Sequence, residues 1–434
     1  MGSGFIELMV KLYQTSREQV IVIGAGLTGS CVALGLANQG FKVALLDQDP
    51  VPMNRASRRN EGKIHLGLIY AADPSFATAH LQLQGALSFF PLLKRCIGDK
   101  VHDLQLSTPF IYLVAQDSIV SAEKLEIHYG EVTDAYRKHT AADPGLSYLG
   151  THPEFLARRV DLEKLDNRLV TKSCAAAFET SELAIDTDQL STLVTRAINA
   201  SKNIKFYPRY KVREIDRRGD GFAVSGESTD SSWTLTSDQV VNAAWENRLK
   251  LDATLGIPPA PGWVYRLKYR VLAHLPDNMV NAPSITMVLG RYGDAVIRAN
   301  GTVYLSWYPA GMLGWSNELE APAEWQSVCS GDMRAQAPDI VDEIIAGIAS
   351  WYPELGNCKP YQLDAGAIVA YGNSDVDDPE SGLHDRTRVG VYSSGGYHSV
   401  DPGKLTTAPH FAFQAVENVV SFFGHHTSAV NVDK

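Results

Sequence analysis

The sequence predicts an α/β protein in which a buried parallel sheet is joined to a second, mixed α+β domain built on an antiparallel sheet. Three observations carry this. Residues 19–47 read as strand, glycine-rich turn, helix and second strand. After residue 184 helix and strand signals alternate again. From 262 to 315 a series of β-type segments is punctuated by glycine and proline, the signature of antiparallel strands.

Residues 20–23, VIVI, form an uninterrupted β-branched run and read as a strand buried on both faces. It enters GAGLTG, with Gly24, Gly26 and Gly29, followed by a helical pattern and an apolar strand that ends at Asp47. In such a unit Gly24 permits the tight turn, Gly26 lets a pyrophosphate approach the backbone, and Gly29 lets the helix sit close on the strand. The free amides of the helix N-terminus, at Leu27 and Thr28, then face phosphate. Asp47, 23 residues after Gly24, is placed to accept hydrogen bonds from ribose hydroxyls, with Gln48 beside it. An acid here, rather than a basic residue, argues against a 2′-phosphate. No charge occurs from 19 to 41, which also suits a membrane span, but four glycines between 24 and 35 fit strand, turn and helix better. The motif predicts an adenine dinucleotide without separating FAD from NAD.

Composition narrows the class. The 434 residues allow two domains, and 45% hydrophobic with 20% charged residues is typical of a soluble globular protein. A net charge of −10 without a Lys/Arg cluster speaks against nucleic acid. Five cysteines, an odd number without close spacing, suggest reduced thiols in the cytoplasm and no metal site. Residues 1–18 lack a basic region and a long apolar run, so neither a signal peptide nor an N-terminal acylation signal is expected.

Residues 55–71, RASRRNEGKIHLGLIYA, carry a resemblance. The glycine motif, the acid after the second strand, and Ser57, Arg59, Asn60, Gly62, Ile64, His65 and Gly67 together resemble the D-amino-acid-oxidase-like superfamily of FAD proteins. The greatest likeness is to the glycerol-3-phosphate dehydrogenase and L-2-hydroxyglutarate oxidase branches, which share Ile-His-x-Gly. The resemblance implies a Rossmann-like FAD-binding domain and a substrate domain. It implies that Ser57 and Arg59 touch the phosphates, that the segment through Asn60, Gly62, Lys63 and Ile64 follows the cofactor, and that His65 lies near the flavin ring. Near the C-terminus, Gly403-Lys404-Leu405-Thr406-Thr407 resembles the Gly-Lys-Leu-Thr-Thr signature of the glycerol-3-phosphate dehydrogenase branch, where the helix it opens faces the flavin pyrimidine. A NAD dehydrogenase has no use for this second element, so the cofactor implied is FAD.

Between these ends, residues 79–96, 121–138 and 186–200 read as helices, the last capped by Asp186 or Thr187. Residues 109–115, 204–206, 211–215, 221–226, 233–236 and 239–244 read as strands, and 335–351 as a helix. Val212, Ala243 and Ala244 fall where the resemblance places cofactor contacts, and the glycine pair after the strand 389–393 adds Gly396 and Tyr397. Trp245 stands where the resembled proteins carry a small-residue turn. A tryptophan resists positive φ, so a different turn is expected, with Trp245 in the core. In the antiparallel region Tyr304, Ser306 and Tyr308 share one strand face, expected to look into a cleft or solvent.

The expected division is 18–72, 176–254 and 362–430 for the FAD-binding domain and 73–175 and 255–361 for the substrate domain. The expected reaction is oxidation of a C–N or C–O single bond of a small or medium organic substrate by hydride transfer to flavin N5. His65 and His398 are candidate bases or substrate partners, and Lys404 a polarising cation. Alternatives are a monooxygenase using a nicotinamide reductant and a flavin-binding protein without catalysis. The electron acceptor is open among oxygen, a quinone and a protein. In the resembled enzymes the strand before the C-terminal motif carries an arginine, usually followed by proline, that helps anchor a substrate anion. Here Ile368 and Val369 occupy those places. Either Arg266, Arg270, Arg298 or Arg386 replaces it, or the substrate is bulkier and mostly neutral, which the aromatic strands favour.

Overall fold

The computed structural model describes residues 17–229 and 231–430, so the expectations for the N-terminal residues lie outside the described part. Strand Arg17–Ile23 pairs in parallel with Val43–Asp47 on one side and Ser232–Asn242 on the other. Ile204–Pro208 extends the sheet beyond Val43–Asp47, and Tyr397–Asp401 extends it beyond Ser232–Asn242, both in parallel. The β-branched run at 20–23 is buried on both faces because each face has its own cover. Val20 and Val22 pack with helices Leu27–Asn38 and Ala408–Val430, whereas Ile21 and Ile23 pack under Ile215, Phe222 and Val224.

Residues 233–236 and 239–244, expected as two strands, form the single strand Ser232–Asn242. The polar Ser237–Asp238 step looks like a break in sequence, yet Ser237 is held in register against Phe222. The strand also changes cover along its length, with an antiparallel hairpin beside its first half and Tyr397–Asp401 beside its second.

The second sheet is mainly antiparallel, running Met312–Ser316, Trp263–His274, Thr302–Trp307, Gly293–Ile297, Ser284–Val288, Phe110–Ala115, Cys174–Thr180 and Ala157–Val160. Only the pair Ser284–Val288 with Phe110–Ala115 is parallel among its described strands. Lys359–Tyr371 pairs along nearly the whole of Trp263–His274. The boundaries expected at 176 and 362 therefore fall inside strands Cys174–Thr180 and Lys359–Tyr371, both of which belong to this second sheet. Helix Thr187–Ala200 is capped by the Asp186 carboxylate, which accepts from the amides of Asp188 (2.9 Å) and Gln189 (3.0 Å).

The short pair Lys63–Ile64 with Leu183–Ala184 forms a separate two-stranded sheet. Lys63 reaches from there into the second sheet, where its ammonium bonds Thr286 and lies 3.0 Å from the Asp294 carboxylate.

Candidate active site

The cavity opens where the parallel strands end, the position at which such sheets bind ligands. Ile23 and Gly24, Leu46 to Gln48, Ala243 and Ala244, and Pro402 to Leu405 all line it. Gly24 has φ +91°, and a Cβ there would lie 2.5 Å from the Ala243 carbonyl oxygen. A Cβ on Gly29 would lie 1.9 Å from the Gly24 oxygen, so this glycine serves helix–strand packing and does not itself line the cavity. The Leu27 amide donates to Ser57 Oγ at 2.9 Å, which ties residues 55–60 over the helix N-terminus. Gly26, Thr28, Ser57, Arg59 and Asn60 line the same wall.

Asp47 accepts from the amides of Ala25 (2.6 Å) and Asp49 (2.8 Å), and burial pushes its carboxyl up to about 7 despite these bonds. Arg59 is buried, its Nε 3.2 Å from Asp364, yet Nε and Nη1 make no hydrogen bond. Burial lowers its pKa. A glycine cradle that side chains would fill, and a buried guanidinium short of partners, fit an anionic dinucleotide. Val212 also lines the cavity.

A second charged group occupies the wall between the two sheets. His65, Lys63, Glu61, Lys268, Asp294, Tyr70, Tyr304, Tyr308, Arg386 and Lys404 all line the cavity. His65 lies with Nε2 3.7 Å from Glu61 and Nδ1 3.9 Å from Glu182, and its backbone amide donates to Thr406 Oγ1 at 3.0 Å. Both ring nitrogens thus lie near carboxylates, with the buried Nδ1 making no hydrogen bond, and the ring lines the cavity as expected for a substrate-side histidine. Lys404 is half-buried, and desolvation, helped by the Arg386 charge, lowers its pKa to about 8.

That value gives a pH dependence. Lys404 is a cation below about pH 8 and neutral above it, so an anion in the cavity loses one attracting charge as pH rises through that value. Acetate titrations followed by the flavin absorbance are expected to show weakening binding across this range. In Lys404→Met this step should vanish, and a wild-type affinity flat across it would remove Lys404 from the anion's surroundings.

Several expected residues lie elsewhere. The pair Gly395–Gly396, with φ of +54° and +82°, closes the hairpin between Gly390–Ser394 and Tyr397–Asp401. Parallel pairing of Val240 with Tyr397 puts Gly396 and Tyr397 at the end of the sheet remote from the cavity. The Tyr397 hydroxyl is spent on Asp252 at 2.6 Å. His398 is buried beside Gln239 Oε1 at 2.8 Å and Ser393 Oγ at 2.8 Å, outside the cavity lining, and burial lowers its pKa to about 4. The ring sits in the core, not on the cavity wall where the sequence reading put it. Gly62, Ile64 and Thr406 support the wall from behind without lining it. Gly62 has φ +77°, and a Cβ there would meet the Ile185 carbonyl oxygen at 2.1 Å.

Trp245 overturns its expectation, for it adopts φ +48°. Its indole Nε1 donates to the Ala367 oxygen at 2.8 Å, and the following turn is closed by the Asn247 amide on the Ala244 oxygen at 3.0 Å. Those contacts hold a conformation that costs about 1 kcal/mol or more for a residue with a side chain. The ring both packs on the second sheet and lines the cavity.

Glu61, Lys268, Asp294 and Tyr70 were not expected in the site. One signal existed for Lys268: Arg266, Lys268 and Arg270 alternate on a strand, placing three cations on one face. No local pattern marks Asp294 or Glu61, which join the group only through tertiary contacts.

The fold and cavity define a two-sheet protein with a cavity at the strand carboxyl ends, walled by the glycine turn on one side and by ionisable side chains on the other. The chain belongs to the FAD dependent oxidoreductase family (DAO), whose family model matches residues 19–399, and is an enzyme of that FAD-dependent class. Iminodiacetate oxidase from Chelativorans sp. BNC1 superposes with a TM-score of 0.65 at 17% identity, over 93% of this chain and 95% of that one. Glycine oxidase from Geobacillus kaustophilus gives 0.64 at 15%, again over 93% and 95%. At these identities the likeness is one of fold. Kynurenine 3-monooxygenase from Salinispora tropica is 48% identical over 52 residues, a segment that spans only 12% of this chain and 12% of that protein. No helix among the described residues is long and apolar enough to cross a membrane.

Proposed function

We propose that the enzyme oxidises a C–N or C–O single bond of a small organic anion. FAD held along Gly24 to Thr28, Asp47, Gln48, Ser57, Arg59 and Val212 supplies a two-electron acceptor at flavin N5. The chain's own residues bind and orient the substrate against the wall that contains Lys268, Tyr308 and Arg386.

Arg386 carries this reading. Of the four arginines able to replace the one missing at Ile368, three are engaged: Arg266 with Asp375, Arg270 with Asp364, and Arg298 with Asp188 at 3.7 Å. Arg386 lines the cavity and makes no ion pair among the described residues, while its backbone amide is fixed by Thr78 Oγ1 at 3.0 Å. The buried Tyr70 hydroxyl, which also lines the cavity, has no hydrogen-bond partner. A planar guanidinium and an unsatisfied hydroxyl suit a carboxylate or phosphate oxygen. Ile368 does line the cavity, as the sequence suggested, but the positive charge arrives from the loop after residue 375 instead. A mostly neutral substrate would leave Arg386 desolvated and unpaired. The purified yellow protein should therefore be bleached anaerobically by amino acids or hydroxy acids. Reduction by neutral amines or sugars alone would overturn the reading.

A further inference from the structure

Three carboxylates surround His65 and the lysines of the substrate wall, and two of them are fully engaged. Glu182 is wholly buried and accepts from the Leu66 amide at 2.7 Å and from the Tyr112 hydroxyl. Asp294 accepts from Lys63 at 3.0 Å, Thr286 Oγ1 at 2.8 Å and Ser306 Oγ at 3.4 Å, with Lys268 a further 3.6 Å ion pair. Glu61 differs. It lines the cavity with its side chain 18% exposed, and its ion-pair partners stand off, His65 Nε2 at 3.7 Å and Lys268 Nζ at 4.0 Å. Burial disfavours its charge, but Lys268, then His65 and Lys404, outweigh burial and hold its carboxyl well below the usual range. The result is an ionised carboxylate set between the Lys268 ammonium and the His65 imidazole, with oxygen lone pairs left for a ligand.

Resting on the anion-binding reading above, we propose that Glu61 binds the nitrogen of the substrate's reacting C–N bond and selects amines over the corresponding oxygen compounds. An ammonium or amine N–H donates to this acceptor, and the ammonium also pairs its charge. A hydroxyl or ether offers no charge to pair. The chemistry favours the same choice. A bound ammonium first releases one proton to solvent water; when the C–H bond beside the free amine nitrogen then breaks with both electrons leaving as hydride, to the two-electron acceptor that FAD would provide, the nitrogen lone pair forms the second C–N bond. One positive charge then remains on the iminium, and a fixed carboxylate stabilises it. Arg386 and Tyr70 hold the substrate's anion, Glu61 its nitrogen, and Lys268 with His65 position Glu61.

The experiment uses matched probes with the purified FAD-loaded protein, binding being read from the flavin absorbance. Iminodiacetate is compared with oxydiacetate, and glycine with glycolate. Each pair keeps the carboxylate and exchanges nitrogen for oxygen. The wild type is expected to prefer the nitrogen member by about 10- to 100-fold, the range of a hydrogen bond to a charged group. Glu61→Gln should bring that ratio near one at unchanged FAD content. Glu61→Asp, which keeps the charge but withdraws it, should retain a reduced preference. A wild-type ratio near one, a ratio preserved in Glu61→Gln, or no binding of either nitrogen-bearing probe overturns the assignment. Failure of the anion reading is distinguished by Arg386→Met, which should weaken both members of a pair alike. If it weakens neither, that reading falls while the ratio still reports on Glu61.

Discussion

Gly26→Val is expected to give a folded protein that purifies without flavin colour. Gly26 has an ordinary φ of −64°, so its backbone tolerates a side chain. A Cβ there would lie 3.0 Å from Ser57 Oγ, which can shift slightly. The cost falls on the cavity instead: valine methyls would stand at the helix N-terminus beside Thr28 and Ser57, where the cofactor's phosphates need close approach. Overpacking of this size costs about 1–3 kcal/mol, or roughly 5- to 150-fold in FAD affinity. Gly29→Ala makes the contrast, because its Cβ would collide with the Gly24 oxygen at 1.9 Å and disturb the turn itself. The check is flavin absorbance per chain beside a circular dichroism melt. A fully loaded Gly26→Val protein would mean that the dinucleotide does not cross this turn.

The second large effect is expected at Arg386. Arg386→Met should lower the efficiency of flavin reduction by an anionic substrate by about 30- to 1,000-fold, since losing one partner of a desolvated charge pair costs about 2–4 kcal/mol. The loss should appear mainly as weaker substrate binding in anaerobic stopped-flow traces, with FAD content unchanged. Arg386→Lys should recover little, because an ammonium cannot engage both oxygens of a carboxylate in one plane. An unaltered rate in Arg386→Met would leave the arginine as a structural residue of its loop.

What sequence could show follows from range. The unit from Val20 to Asp47 was legible because strand, turn, helix and acid lie within one contiguous stretch, each with its own period. Tyr304 was legible as a residue facing cleft or solvent because alternation fixes which face a strand residue takes, whereas Tyr308 reaches the cavity from the helical turn Tyr308–Gly311 that follows the strand. Asp186 declared itself as a cap. The glycine pair at 395–396 misled, since two glycines after a strand suit a phosphate cradle and a tight hairpin equally well. Only the pairing of Val240 with Tyr397 decides between them. His398 misled for the same reason: a histidine near a motif gives no sign that Gln239, far along the chain, will satisfy it. The carboxylate–lysine wall was hidden because Glu61, Lys268 and Asp294 come from three separate elements, and their meeting depends on how the two sheets abut.

The order of the parallel sheet has a consequence for biogenesis. Its central strand, Arg17–Ile23, is among the first described segments to be made, but Tyr397–Asp401 and the Gly403–Leu405 turn that complete the cavity are among the last. A nascent chain released from the ribosome up to residue 390 holds the glycine turn without its opposite wall, and helix Leu27–Asn38 waits without the Ala408–Val430 helix that covers it. Stable flavin loading therefore waits on residues 402–405, and until the Ala408–Val430 helix follows, the apolar face of the first helix lacks that cover.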